Sequence, residues 1–149
     1  MSDSLYSGRR FRTVNVIDDF NRESLAIEID NSLPMTRVIR VLERIVAYRG
    51  YPRQIRQDNS PEFIAHTLEL WAKEHDVKLE FIKPGTPTQN AYIKRFNRTY
   101  RNEVLDCYLF NSLRKVRDIT DDWMIDYNYE RPHESLNDLP PKIYEQQLT

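Results

Sequence analysis

The sequence predicts an α/β domain whose strands run in mixed directions. Two observations carry that reading. The first thirty residues hold two runs of alternating apolar and polar residues close enough to form a hairpin, and from residue 35 onward helical and strand periodicities take turns. A third observation fixes the size: 149 residues, 40% hydrophobic and 30% charged, suit one domain spanning residues 1–149.

Residues 10–18 alternate and then run apolar, which predicts a strand ending at Asp18-Asp19. Residues 23–30 set Leu25, Ile27 and Ile29 against polar neighbours and read as its hairpin partner, with a turn from Phe20 to Glu23. Pro34 opens a helix over 35–49 with Val38, Val41, Leu42, Ile45 and Val46 on one face, and Gly50 followed by Tyr51-Pro52 ends it. A short strand over 54–57 delivers Asp58 at its C-terminal end. Pro61 suits the first turn of a helix over 61–75, with Phe63, Ile64, Leu68 and Trp71 inward.

Residues 77–82 alternate again and predict a strand. Two prolines and a glycine make 83–90 a loop. A long helix is expected over 90–107, carrying Ile93, Phe96, Tyr100 and Leu105, and another over 112–128, carrying Val116, Ile119, Trp123 and Tyr127. The end reads as a partly extended tail with a short helix. One further short strand is expected but has no clear position.

Composition excludes several functions. With three glycines, no Gly-rich nucleotide cradle can be written, and the single Cys107 excludes a disulfide framework and a cysteine-based zinc site. No apolar run approaches membrane-spanning length, and the first residues lack the apolar stretch of a signal peptide. His66, His75 and His133 have no metal-ligand spacing. Trp71 and Trp123 are expected in the core, and Cys107 is expected to be buried or half-buried.

The net charge of −1 hides an uneven distribution. Residues 35–57 carry six arginines against Glu43 alone, and residues 83–101 carry five basic residues and no acid. Residues 118–145 carry eight acids against Arg131 and Lys142. Arginine outnumbers lysine 16 to 6, and its planar fork suits phosphate. Two segments are thus equipped to meet a polyanion.

Three stretches together carry a resemblance: Ile55-Arg56-Gln57-Asp58-Asn59-Ser60-Pro61-Glu62-Phe63, then Pro84 through Thr99 (PGTPTQNAYIKRFNRT), then Tyr127-Asn128-Tyr129-Glu130-Arg131-Pro132-His133. In order and spacing the chain resembles the integrase-type catalytic core of bacterial insertion-sequence transposases, relatives of retroviral integrases. The resemblance implies a ribonuclease H-like fold, a five-stranded mixed sheet flanked by helices. It also implies two aspartates and a glutamate that hold two divalent cations, Mg²⁺ or Mn²⁺. Such ions take oxygen ligands and activate both the attacking and the leaving oxygen in DNA strand transfer.

Within that pattern Asp58 matches the second aspartate, and the first is expected upstream of Met1. The glutamate should follow Asp58 after 35 intervening residues, and residues 59–93 lead to Lys94. The spacing is kept and the carboxylate is replaced. A protonated ammonium donates three hydrogen bonds and accepts none, so it cannot ligate Mg²⁺. The expectation is a catalytically inactive chain that does not bind the metal pair, with Asp58 left as a weak residual ligand and Lys94 directed towards it. Asp3 and the Asp18-Asp19 pair are poor replacements, and Glu62 is expected to serve its helix N-terminus.

In relatives, basic residues on the glutamate's helix hold DNA, so Arg95, Arg98 and Arg101 are candidate DNA contacts, together with Lys83, Gln89 and Asn90. The resemblance implies sequence-independent DNA binding, a homodimer or an intact transposase as protein partner, no membrane, and a cytoplasmic, nucleoid-associated setting. The alternative reading is a non-catalytic remnant that binds DNA or dimerises and so modulates an intact transposase.

Overall fold

In the computed structural model the elements follow in the order β1 (Ser2–Ser4), β2 (Arg10–Ile17), β3 (Ser24–Asp30), α1 (Met35–Arg49), β4 (Gln54–Asp58), α2 (Glu62–Glu74), β5 (Lys78–Ile82), α3 (Ala91–Tyr100), a π-helical turn (Arg101–Leu105), α4 (Leu113–Tyr129) and α5 (Pro141–Leu148). The structure describes residues 1–58, 62–82, 91–133 and 136–148, with the side chains at 58, 62–65, 82, 147 and 148 outside the description. These residues form two compact units, residues 1–32 with 92–149, and residues 33–91.

In the first unit β2 pairs antiparallel with both β1 and β3, from Ser2 opposite Arg12 to Arg12 opposite Asp30, and a bulge at Val16-Ile17 precedes the hairpin turn. The short strand that the sequence left unplaced is β1. Alternation sends Phe11 and Ile29 into a core completed by Phe96, Tyr100, Val104, Val116, Trp123 and Tyr127. Ring pairs knit it: Phe96 meets Trp123 and Tyr127 edge-on at centroid distances of 5.6 and 5.2 Å. Ser112 caps α4, its hydroxyl accepting from the Lys115 N–H at 3.2 Å.

In the second unit β4 and β5 pair in parallel, Gln54 with Lys78 through Asp58 with Ile82. Ile55 and Leu79 face a core of Leu68, Trp71, Ala72 and Val77, which α1 covers with Met35, Ile39, Leu42 and Val46. Gly50, at φ +82°, ends α1 and donates its N–H to the Val46 carbonyl. His75 stacks on Tyr51 at 4.7 Å and lies against Trp71.

The helices and strands fall within a residue or two of their expected bounds, with three corrections. Among the described residues the strands form a three-stranded antiparallel sheet and a two-stranded parallel one, not a single five-stranded mixed sheet. β1 has only three residues, so its edges offer few backbone groups for a longer ladder. The helix expected over 90–107 is α-helical only to Tyr100 and continues as a π-turn. Cys107 is exposed, not buried; it follows that turn, and its thiol donates to the Asn102 carbonyl at 3.0 Å.

Candidate nucleic-acid interface

Asp58 is the last residue of β4, paired in register with Ile82 at the C-terminal end of a parallel strand. That is the end at which α/β sheets gather their sites. Two register pairs earlier, Arg56 lies 3.8 Å from Glu80. The Asp58 and Glu62 side chains lie outside the described residues, as do Lys83, Gln89 and Asn90. The expected approach of Lys94 to Asp58 falls there too.

Lys94, Arg95 and Arg98 share α3, a ten-residue helix whose buried positions are Phe96 and Tyr100. The helix is tied down along its length. Arg22, held at φ 63° in the β2–β3 turn, places its guanidinium 3.6 Å from the centre of the Tyr92 ring. Asn15 on β2 donates to the Asn97 side chain at 2.8 Å. Arg101 donates to the Ser2 carbonyl at 2.9 Å and lies 3.7 Å from Asp3 and 3.6 Å from Asp106. Lys94, Arg95 and Arg98 are exposed, and Lys94 and Arg98 lie one turn apart on the helix.

Arg101 thus differs from its expected neighbours: its guanidinium is committed to β1. Asp3 lies in an ordered strand, where it serves Arg101 and accepts from the Ser4 N–H at 2.8 Å. Asp18 accepts from the Phe20 N–H at 2.8 Å in the hairpin turn.

The Tyr127–His133 stretch is a set of clamps on α3 and β3. Arg131 grips Glu103 of the π-turn through two hydrogen bonds, one of 2.7 Å, with Asp126 3.6 Å away. Trp123 donates its indole N–H to the same carboxylate at 3.3 Å. The Arg131 hydrogen bonds hold the Glu103 carboxyl below its ordinary range, against the opposing effect of burial. Asn128, buried, accepts from the Ser24 N–H at 2.8 Å and donates to the Ser24 carbonyl at 3.0 Å. His133 meets Tyr127 edge-on at 4.7 Å, and burial lowers its pKa.

Sequence reasoning passed over Glu103. The available signal was the four-residue spacing of Trp123, Tyr127 and Arg131, which lines one side of α4 and its end with groups able to hold a carboxylate. A second clamp joins α5 to the hairpin: Lys142 lies 3.3 Å from the buried Glu23 and 3.4 Å from Glu145. Among the described residues no three His, Cys, Asp or Glu side chains converge as a metal site, and no helix is long and apolar enough to cross a membrane.

Two family profiles described as Integrase core domain match the chain, over residues 3–87 and 75–141. The insertion element IS476 uncharacterized 39.2 kDa protein of Xanthomonas euvesicatoria is 42% identical over 139 residues, covering 93% of this chain. The insertion element IS407 uncharacterized 31.7 kDa protein of Burkholderia multivorans is 42% identical over 142 residues, covering 95% of it. The chain spans 40% and 51% of the lengths of these relatives. Among solved structures, the HTLV-2 integrase catalytic core domain in complex with magnesium (trimeric form) superposes with a TM-score of 0.71 at 14% identity, over 97% of this chain and 90% of that one.

Proposed function

The chain belongs to the integrase core domain family, and on that premise we propose that it is the catalytic-core portion of an insertion-sequence transposase, built to handle DNA in transposition. The observation that carries the DNA-facing part is the outward side of α3, where Lys94, Arg95 and Arg98 stand exposed with no acid on the helix. Phosphate oxygens are the natural partners of such a surface. Lys83, Gln89 and Asn90 precede the helix and would extend it, and the half-exposed Arg101 would border it. Binding of this kind is independent of sequence and falls steeply with salt.

The donor set does not suit the metal pair associated with the family. Two divalent cations bridging a phosphodiester need several carboxylate oxygens, and the matched positions supply Asp58 and an ammonium, Lys94. An ammonium at the position matched to the glutamate would also repel a divalent cation rather than hold it. We therefore propose that the chain as it stands binds DNA without cutting or joining it. We further propose a homodimer or an intact transposase as its protein partner, and a nucleoid-associated, cytoplasmic setting.

A labelled duplex incubated with the chain and Mg²⁺ or Mn²⁺ tests both parts at once. The expected result is a salt-sensitive complex with no cleaved or joined product. Absence of any complex at low salt would refute the DNA reading, and metal-dependent product would refute the loss of catalysis.

A further inference from the structure

An arginine-rich segment surrounds α1. It lies in the second compact unit, residues 33–91. Six arginines and no lysine occupy residues 35–57, opposed by Glu43 alone. On α1 the apolar positions Ile39, Leu42 and Val46 pack on the core, and Val41 and Ile45 are buried. Arg37, Arg40 and Arg44, at spacings of three and four, run along the other side, where Arg40 and Arg44 are exposed. Tyr48 continues the same row and is 62% exposed. At 1.5 Å per residue, Arg37 to Arg44 covers about 10 Å of a straight helix.

We infer that this face of α1 is a second contact surface for the backbone of duplex DNA. The inference rests on the DNA reading above and adds to it a site in the second unit. Three features favour a nucleic-acid backbone over an acidic protein. The charges form a line, as phosphates do along a strand. They are all arginine, whose fork binds phosphate oxygens bidentately. The aromatic Tyr48 stands in the row, with a ring able to lie against sugar or base. Glu43, beside Arg40 on the helix, is the one charge that opposes a polyanion.

The test compares the full chain with three variants on a fluorescent duplex of arbitrary sequence, measuring affinity at several salt concentrations. The variants are Arg40→Gln with Arg44→Gln, Glu43→Gln, and Arg95→Gln with Arg98→Gln; melting curves establish that each is folded. Each phosphate contact contributes about 0.9 to the slope of log affinity against log salt, so losing two lowers its magnitude by about 1.8. The α1 double variant is expected to show that loss, the α3 double variant a separate loss of similar size, and Glu43→Gln tighter binding. If the α1 variant binds like the parent while the α3 variant weakens, the inference is overturned and the DNA reading stands; α1 would then suit an acidic protein. If the parent chain binds no duplex at low salt, both are overturned.

Discussion

Arg131 and Glu103 form a two-point ion pair that joins the second residue after α4 to the π-turn after α3. The same carboxylate accepts from Trp123, so one acid ties the tail, α4 and the continuation of the helix carrying Lys94. Both partners are part-exposed, and solvent screening keeps the pair modest. Arg131→Ala is expected to lower stability by about 1 kcal/mol, read by urea unfolding. Because the Glu103 carboxyl is held below its ordinary value of 4.5, this contribution is present in full above that value. It fades as pH falls through the lower folded value, so stability should drop on acidification below about pH 4.5. Glu103→Gln should remove that component of the pH slope.

Asn128 takes both backbone groups of buried Ser24. Asn128→Ala would strand a buried donor and acceptor together, at a cost of about 2–3 kcal/mol. Asn128→Asp keeps the acceptor but sets a buried carboxylate against the Ser24 carbonyl, so it should destabilise at least as much in urea denaturation.

The buried Tyr100 hydroxyl sits 2.7 Å from that of Thr120. Burial pushes its pKa up to about 12, only partly offset by the Thr120 hydrogen bond. Burial likewise raises Tyr127 to about 12. In an ultraviolet titration both should ionise well above the ordinary tyrosine value of 10, and Tyr100→Phe should delete one late step. It should also cost about 1–2 kcal/mol, by leaving the Thr120 hydroxyl unpaired.

Arg101 and Arg98 should separate in experiment. Arg98→Ala is expected to weaken DNA binding and leave the melting temperature unchanged, since its side chain is exposed. Arg101→Ala loses the contacts to Ser2 and Asp3, so its first effect should be a stability loss of about 0.5–1 kcal/mol, read by thermal melting.

Most elements could be read from the sequence because their periodicity is local. The apolar row of α1 and the alternation of β2 and β3 are set by burial on one face, so positions 35–49 and 10–30 reported their own structure. The π-turn left a trace: Phe96, Tyr100 and Leu105 sit four and then five residues apart, and five is the π spacing. What could not be read depends on distant partners. Arg101 shares the helical phase of Lys94, but Ser2 and Asp3, nearly a hundred residues away, claim it. The exposure of Cys107 and the division of the strands into two sheets likewise depend on tertiary pairing, which no local pattern encodes. Of the candidate site, the position of Asp58 at a strand end and the exposed basic side of α3 were legible. The Glu103–Arg131 clamp was not, since it joins residues 28 apart.

We expect that Lys94, an ammonium where the family pattern calls for a carboxylate, leaves the chain without the ligand set a divalent pair requires. Calorimetric titration of Mn²⁺ into the full chain and into Lys94→Glu tests it most directly. No saturable binding to the chain as it stands is expected at millimolar Mn²⁺, and measurable binding is expected once the carboxylate is restored. Stoichiometric Mn²⁺ binding by the unmodified chain, abolished by Asp58→Asn, would contradict it.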